Sequence, residues 1–203
     1  MTGMAFPGTL MLDRQGRVTA RFFEDLYFER NTVSSVMARV GATSPPVAAT
    51  KLSTAHLDVV AFPSDAAVAP GNRFSLIFDV APHRDMHVYA PGATSYRVVA
   101  ISVAAQPFLR LQPLTYPQAE IYFFKPLNER VPVYRKPFRL VQEVLLEGTA
   151  QAQTALQGKD SLPITASLEY QACDENTCYN PATIPVSFTL SLRSLIRERP
   201  QVR

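Results

Sequence analysis

The chain has 203 residues, 47% hydrophobic and 18% charged, the composition of a globular protein and not of a disordered or collagen-like one. No apolar run approaches the ~20 residues of a membrane span. No charged n-region followed by an apolar h-region marks a secretory leader. A net charge of +3, with no aromatics interleaved in a basic stripe, gives nucleic-acid binding little support.

Seventeen prolines against eight glycines predict a loop-rich, helix-poor chain, because proline is confined to edges, turns and first helical turns. In chain order, residues 9–13 and 17–22 are short apolar runs about a turn with Gly16, a hairpin signal. Asn31 or Thr32 caps a helix running to Arg39, with Val33, Val36, Met37 and Val40 on one face and Gly41 as its stop. Residues 42–54, broken by Pro45-Pro46, read as a semi-rigid linker.

Beyond residue 55 the period changes to two. Phe74, Leu76, Phe78 and Val80 alternate with polar residues, Ile77 being the one mismatch. Ile164, Ala166, Leu168 and Tyr170 form a second such run, and Val186, Phe188, Leu190 and Leu192 a third. Residues 57–62, 86–90, 96–103, 120–124 and 138–146 are further strand candidates, and the polar stretch 148–160 reads as an exposed loop. Half-buried alternation with proline-marked breaks predicts a mainly β protein: an immunoglobulin-like antiparallel β-sandwich over 55–192. A small hairpin plus helix (1–41) and the linker (42–54) precede it, and a basic tail (193–203) follows.

The only cysteines are Cys173 and Cys178. The first ends an alternating strand, the residues between them are turn formers, and the second opens the return strand. Such a hairpin can bring the two side chains within reach of a disulfide. Closing so short a loop stabilises by only about 2 kcal/mol in the chain-entropy model. Redox exchange, a structural disulfide and two inert buried thiols all remain open on spacing alone. Zinc lacks its usual four ligands, since His56, His83 and His87 lie far away in sequence. Neither a metal nor a cofactor is expected. Asp174 and Glu175 put negative charge beside both sulfurs, which disfavours a thiolate. The pair therefore suits a disulfide attacked by an activated partner thiol, or a dithiol that reduces a docked protein.

Tyr170-Gln171-Ala172-Cys173 and Cys178-Tyr179-Asn180-Pro181, with Met86-His-Val-Tyr-Ala-Pro-Gly92 and Val131-Pro-Val-Tyr-Arg135 upstream, resemble the N-terminal extracytoplasmic domain family of the thiol:disulfide interchange protein DsbD. The likeness runs over roughly 57–192. It implies an immunoglobulin-like sandwich in the periplasm that takes reducing equivalents from a membrane thiol relay. It implies delivery to thioredoxin-like proteins, with cytochrome c biogenesis among the processes served. It makes Cys173 and Cys178 the redox pair, framed by Tyr170, Gln171 and Tyr179, with Asp174 and Glu175 in the spacer. Family members shield their cysteines with an aromatic-bearing loop. Leu127 stands at the expected offset here, with Phe123 and Phe124 just upstream as alternative caps or ordinary strand residues. Residues 6–32 resemble the closing hairpin and helix of a peroxiredoxin or thioredoxin-like domain, with Phe6-Pro7 at its cis-proline region. They read as the tail of a truncated domain or a mis-called start.

Among weaker signals, His87 in an apolar strand reads as a core histidine. Tyr116 and Tyr122 read as sandwich residues, and no phosphate loop occurs. The expectation is therefore a thiol–disulfide exchange domain docking on redox proteins. The alternative is a non-catalytic interaction module with a structural hairpin disulfide.

Overall fold

The computed structural model describes residues 8–23, 29–42, 49–124 and 128–193. Two mainly antiparallel sheets face each other. The first is built on β7 (Asn72–Pro82), flanked by β5 (Leu57–Pro63) and β13 (Phe138–Leu146). Its edges are β4 (Thr50–Ser53) beside β5 and β10 (Leu109–Leu111) beside β13. The second sheet runs β6 (Ala67–Val68), β16 (Ala182–Leu192), β14 (Ser161–Tyr170), β9 (Ala100–Val103). Phe74, Leu76, Phe78 and Val80 project from β7 toward Ile164, Leu168, Phe188 and Leu190, all within one core. The Phe78 and Phe188 rings meet edge to face with centroids 5.9 Å apart. Each such buried side chain contributes about 1.5–3 kcal/mol. The fold is thus the immunoglobulin-like β-sandwich that the alternation predicts.

Ile77 breaks the alternation because the outer face of β7 is covered too. The helix α1 (Val33–Arg39) lies there, and Ile77 packs with Phe62 and Ala38. Thr32 caps α1 by accepting the Ser35 N–H at 3.1 Å, and its hydroxyl donates to Asp65 at 2.7 Å. The buried face of α1 is Ser35 and Ala38, not the predicted Val33-Val36-Met37-Val40 stripe, and Val33 is 80% exposed. The reason is closeness. Ser35 is small enough to bring its Oγ within 2.7 Å of Ser75 Oγ on β7, a buried hydrogen bond that a valine would prevent. Just upstream, β3 (Arg30–Asn31) pairs in parallel with β7. Glu29, 1% exposed, accepts from Arg73 at 2.9 Å and from Arg110 at 2.6 Å. Arg39 bridges to Glu143 at 2.8 Å, and its guanidinium lies 4.7 Å from the Phe22 ring centroid. Residues 29–42 are therefore packed onto the sandwich.

The hairpin appears as β1 (Gly8–Leu12) and β2 (Val18–Phe23). Asp13 accepts the N–H groups of Gln15 and Arg17, and Gly16 takes the positive φ (79°) of the turn. Two expectations need correction. The end of the expected linker 42–54 is the edge strand β4, because Leu52 packs against the core. The expected loop 148–160 contains the helix α2 (Ala150–Leu156), capped by Thr149 and anchored by buried Ala152 and Leu156. Phe6, Pro7, most of the tail 193–203 and Leu127 lie outside the described residues.

Candidate functional site

A third, smaller sheet carries the cysteines. Its order is β11 (Glu120–Phe124), β12 (Glu129–Tyr134), β8 (His87–Tyr89), β15 (Ala172–Cys173). Strand β14 ends at Tyr170, and after Gln171 the chain continues directly into β15, so the core strand delivers Cys173 to this sheet. Cys173 pairs with His87 on β8. The chain then turns back on itself. Asp174 N–H donates to the Thr177 carbonyl at 2.9 Å and Tyr179 N–H to the Ala172 carbonyl at 2.9 Å. Cys173 and Cys178 face each other with Cα atoms 4.1 Å apart and are joined by a disulfide. The two sulfurs differ in surroundings. Cys173 is 1% exposed, within a cluster of Tyr89, Ala93, Val131 and Val133, whereas Cys178 is exposed.

The Asp174 carboxylate accepts the N–H groups of Asn176 and Thr177, each at 2.7 Å, and the Tyr179 hydroxyl at 2.8 Å. The two backbone donors, then the phenol, hold its carboxyl below the usual carboxylate range. The same bond pushes the Tyr179 phenol up. Asp174 is thus the polar knot of the turn as well as a charge beside Cys173. Glu175 is exposed at the tip. Gln171 clamps the base of the hairpin, donating to the Tyr179 carbonyl at 3.1 Å and accepting Arg97 N–H at 3.0 Å. Tyr170 is core, with its hydroxyl on Thr54 at 3.2 Å, and the Tyr179 ring lies 4.3 Å from the His56 ring.

Sequence reasoning missed the residues nearest the sulfurs. The Tyr89 hydroxyl lies 3.0 Å from Cys173 Sγ and 3.4 Å from Cys178 Sγ. Tyr89 stacks on Tyr96, with centroids 4.0 Å and planes 7° apart, and Tyr96 donates to Glu129 at 2.9 Å. His87 is buried with its ring 4.8 Å from Tyr122 and 5.5 Å from Tyr89. Burial first, then the Arg135 charge, lowers its pKa to about 4. His87 and Tyr89, at i and i+2, share one face of β8, but only the pairing of β8 with β15 brings that face to the cysteines. Of the candidate cap residues, Phe123 is 40% exposed beneath the Arg130 guanidinium, and Phe124 is half-buried 6.5 Å from the Tyr122 ring. Of the three β11 aromatics, it is Tyr122 that packs against the cluster holding Cys173. Among the described residues no group of His, Cys, Asp or Glu could hold a metal ion.

A family model described as "Thiol:disulfide interchange protein DsbD, N-terminal" matches residues 58–189. The chain belongs to that family. Thiol–disulfide exchange is the chemistry of the family, and the cysteine pair that it requires is present as Cys173 and Cys178. Among solved structures, the N-terminal periplasmic domain of ScsB from Proteus mirabilis is similar at 11% identity and TM-score 0.44, over 70% of this chain and 49% of that one. The chain thus spans about half the length of that ScsB domain. The reduced DsbD N-terminal domain of Neisseria meningitidis is similar at 16% identity and TM-score 0.36, over 58% of this chain and 80% of that one. The GAE domain of GGA2p from Saccharomyces cerevisiae shows 11% identity and TM-score 0.36, over 70% and 96%. No curated protein matches.

Proposed function

We propose that this domain of the DsbD N-terminal family exchanges electrons with thioredoxin-like proteins by attack of a partner thiolate on Cys178. The observation that carries this reading is the asymmetry of the pair: Cys178 is exposed, while Cys173 is 1% exposed. A partner thiolate forms a bond to Cys178 Sγ and breaks the Cys173–Cys178 bond, and Cys173 leaves as a thiolate. The partner's second thiolate then attacks its own sulfur in the mixed disulfide and frees Cys178. Two electrons pass to this domain, two protons are taken up, and the partner is left as a disulfide. The reverse sequence reduces a downstream partner.

In this reading Gln171, Asp174 and Tyr179 hold the hairpin in shape, Tyr170 ties its base to the core, and Glu175 lies at the rim that a partner meets. Tyr122, Phe123 and Phe124 line the neighbouring edge strand, where a shielding aromatic belongs. The compartment that suits such exchange is the periplasm, since a persistent disulfide needs an oxidising environment. Among the described residues no helix is long and apolar enough to cross a membrane.

Trapping decides it. Reduced Cys173→Ser protein, keeping Cys178, is mixed with a single-cysteine thioredoxin-like protein activated as an aryl disulfide. It should accumulate a mixed disulfide rapidly, and Cys178→Ser protein should do so far more slowly. Equal trapping by both, or a bond that resists glutathione buffers down to roughly −300 mV, would favour the structural module instead.

A further inference from the structure

When Cys178 is attacked, negative charge appears on Cys173, in a cluster of Tyr89, Ala93, Val131 and Val133 from which water is excluded. A buried thiolate without a donor is costly. One donor is aimed at it. A disulfide sulfur carries no proton, so in the 3.0 Å and 3.4 Å contacts with Cys173 and Cys178 the Tyr89 hydroxyl donates. The Tyr89 ring has little freedom: one face stacks on Tyr96 and His87 meets it edge-on. Tyr96 is itself fixed by its hydroxyl on Glu129 Oε2, at the start of β12. Desolvation first, then the neighbouring Tyr96 and Glu129, pushes the Tyr89 phenol well above its ordinary range. It therefore stays protonated wherever thiols exchange.

We propose that Tyr89 is a catalytic residue whose hydroxyl stabilises the Cys173 sulfur as it leaves as a thiolate, and that Tyr96 and Glu129 are positioning residues that aim it. A charged acceptor makes a shorter and stronger bond than a neutral one. The contact thus strengthens as the S–S bond breaks, which is the condition for lowering a barrier. Tyr89 keeps its proton throughout. The proton that later reaches Cys173 comes from solvent or from the partner. This inference rests on exchange at Cys178.

The test uses the full chain with Tyr89→Phe, which keeps the ring and its stacking but removes the donor. Reduction of the disulfide by dithiothreitol is followed from pH 6 to 9, with near-ultraviolet circular dichroism as the check on folding. Tyr89→Phe should slow reduction roughly tenfold, the scale of one hydrogen bond to a charged group. In a Cys178→Ser background, adding Tyr89→Phe should raise the Cys173 thiol by about one pH unit in an ultraviolet titration. Tyr96→Phe, which breaks the link to Glu129, should slow reduction severalfold when Tyr89 is present and not at all in the Tyr89→Phe protein. A Tyr89→Phe protein that reacts and titrates like wild type overturns the role of Tyr89. Additive slowing overturns the positioning role. Should Tyr89→Phe not fold, unchanged kinetics in Tyr96→Phe overturn the arrangement. Wild-type protein that does not react at all refutes exchange itself, a separate outcome.

Discussion

Polar groups are buried beside α1 and beside the cysteines, and they are handled differently in the two places. Beside α1, Glu29, Arg73, Ser75 and Glu143 are each matched to a partner of the same structure: carboxylate to guanidinium, hydroxyl to hydroxyl. Beside the cysteines, buried His87 is held in its uncharged form, and the Tyr89 hydroxyl is spent on sulfurs that need no hydrogen bond in the oxidised state. In the first region each charge meets an opposite one and geometry is fixed, although Glu143 Oε1 is left without a hydrogen bond. The second is provisioned for a charge that is not yet there.

Variants should separate the two regions. The largest effect is expected at Glu29→Ala, which strips a buried carboxylate from Arg73 and Arg110. It should cost about 3–5 kcal/mol in urea unfolding, and the rate of dithiothreitol reduction of the protein that remains folded should not change. A comparable loss of rate would show that the two regions are coupled.

The next effect concerns pH. His87 has a folded pKa of about 4, below its unfolded value near 6.5. The unfolded chain therefore binds more protons between these values, and stability falls as pH drops from about 6.5 toward 4. The loss should reach about 2 kcal/mol at the acid end, the full shift being reduced by solvent screening, and be absent above pH 7. Urea midpoints against pH for wild type and His87→Phe check it, and the variant should lose most of that slope.

Cys173→Ser and Cys178→Ser should abolish electron transfer while lowering stability by no more than about 2 kcal/mol, the loop-closure scale for so short a ring. Unfolding by either would make the disulfide structural. The smallest effect is expected at Glu175→Gln: unfolding free energy within about 0.5 kcal/mol of wild type, and alkylation of the reduced form modestly faster near neutral pH. Superimposable iodoacetamide pH profiles would mean that this carboxylate points away from the sulfurs.

β14 and β16 were legible because one face of each is buried against the opposite sheet and the other meets solvent. Glu120–Phe124 and Phe138–Leu146 are strands over the residues expected, although Phe138–Leu146 is buried on both faces and does not alternate. α1 was legible as a helix, through Thr32 and Gly41, but not in its facing, since the choice between a valine stripe and Ser35-Ala38 was made by β7. α2 was not legible, because Ala-Gln-Ala-Gln-Thr-Ala-Leu resembles a polar loop and only Ala152 and Leu156 are fully buried, with Ala155 packed beside them. At the site, the cysteines were read from a short stretch of local sequence. The Tyr89 contact joins positions 84 apart and exists only because β8 pairs with β15. No local pattern encodes that distance.

The hairpin that holds the cysteines is closed by bonds that do not involve sulfur: the two backbone bonds across it, the carboxylate knot of Asp174 and the Gln171 clamp. None of these bonds involves the S–S bond, so the reduced form is expected to keep the oxidised backbone. A partner that contacts that backbone equally in both forms cannot shift the balance between them, however tightly it docks. The direction of electron flow then falls to the relative reduction potentials of the two proteins, and the same surface can serve donor and acceptor in turn.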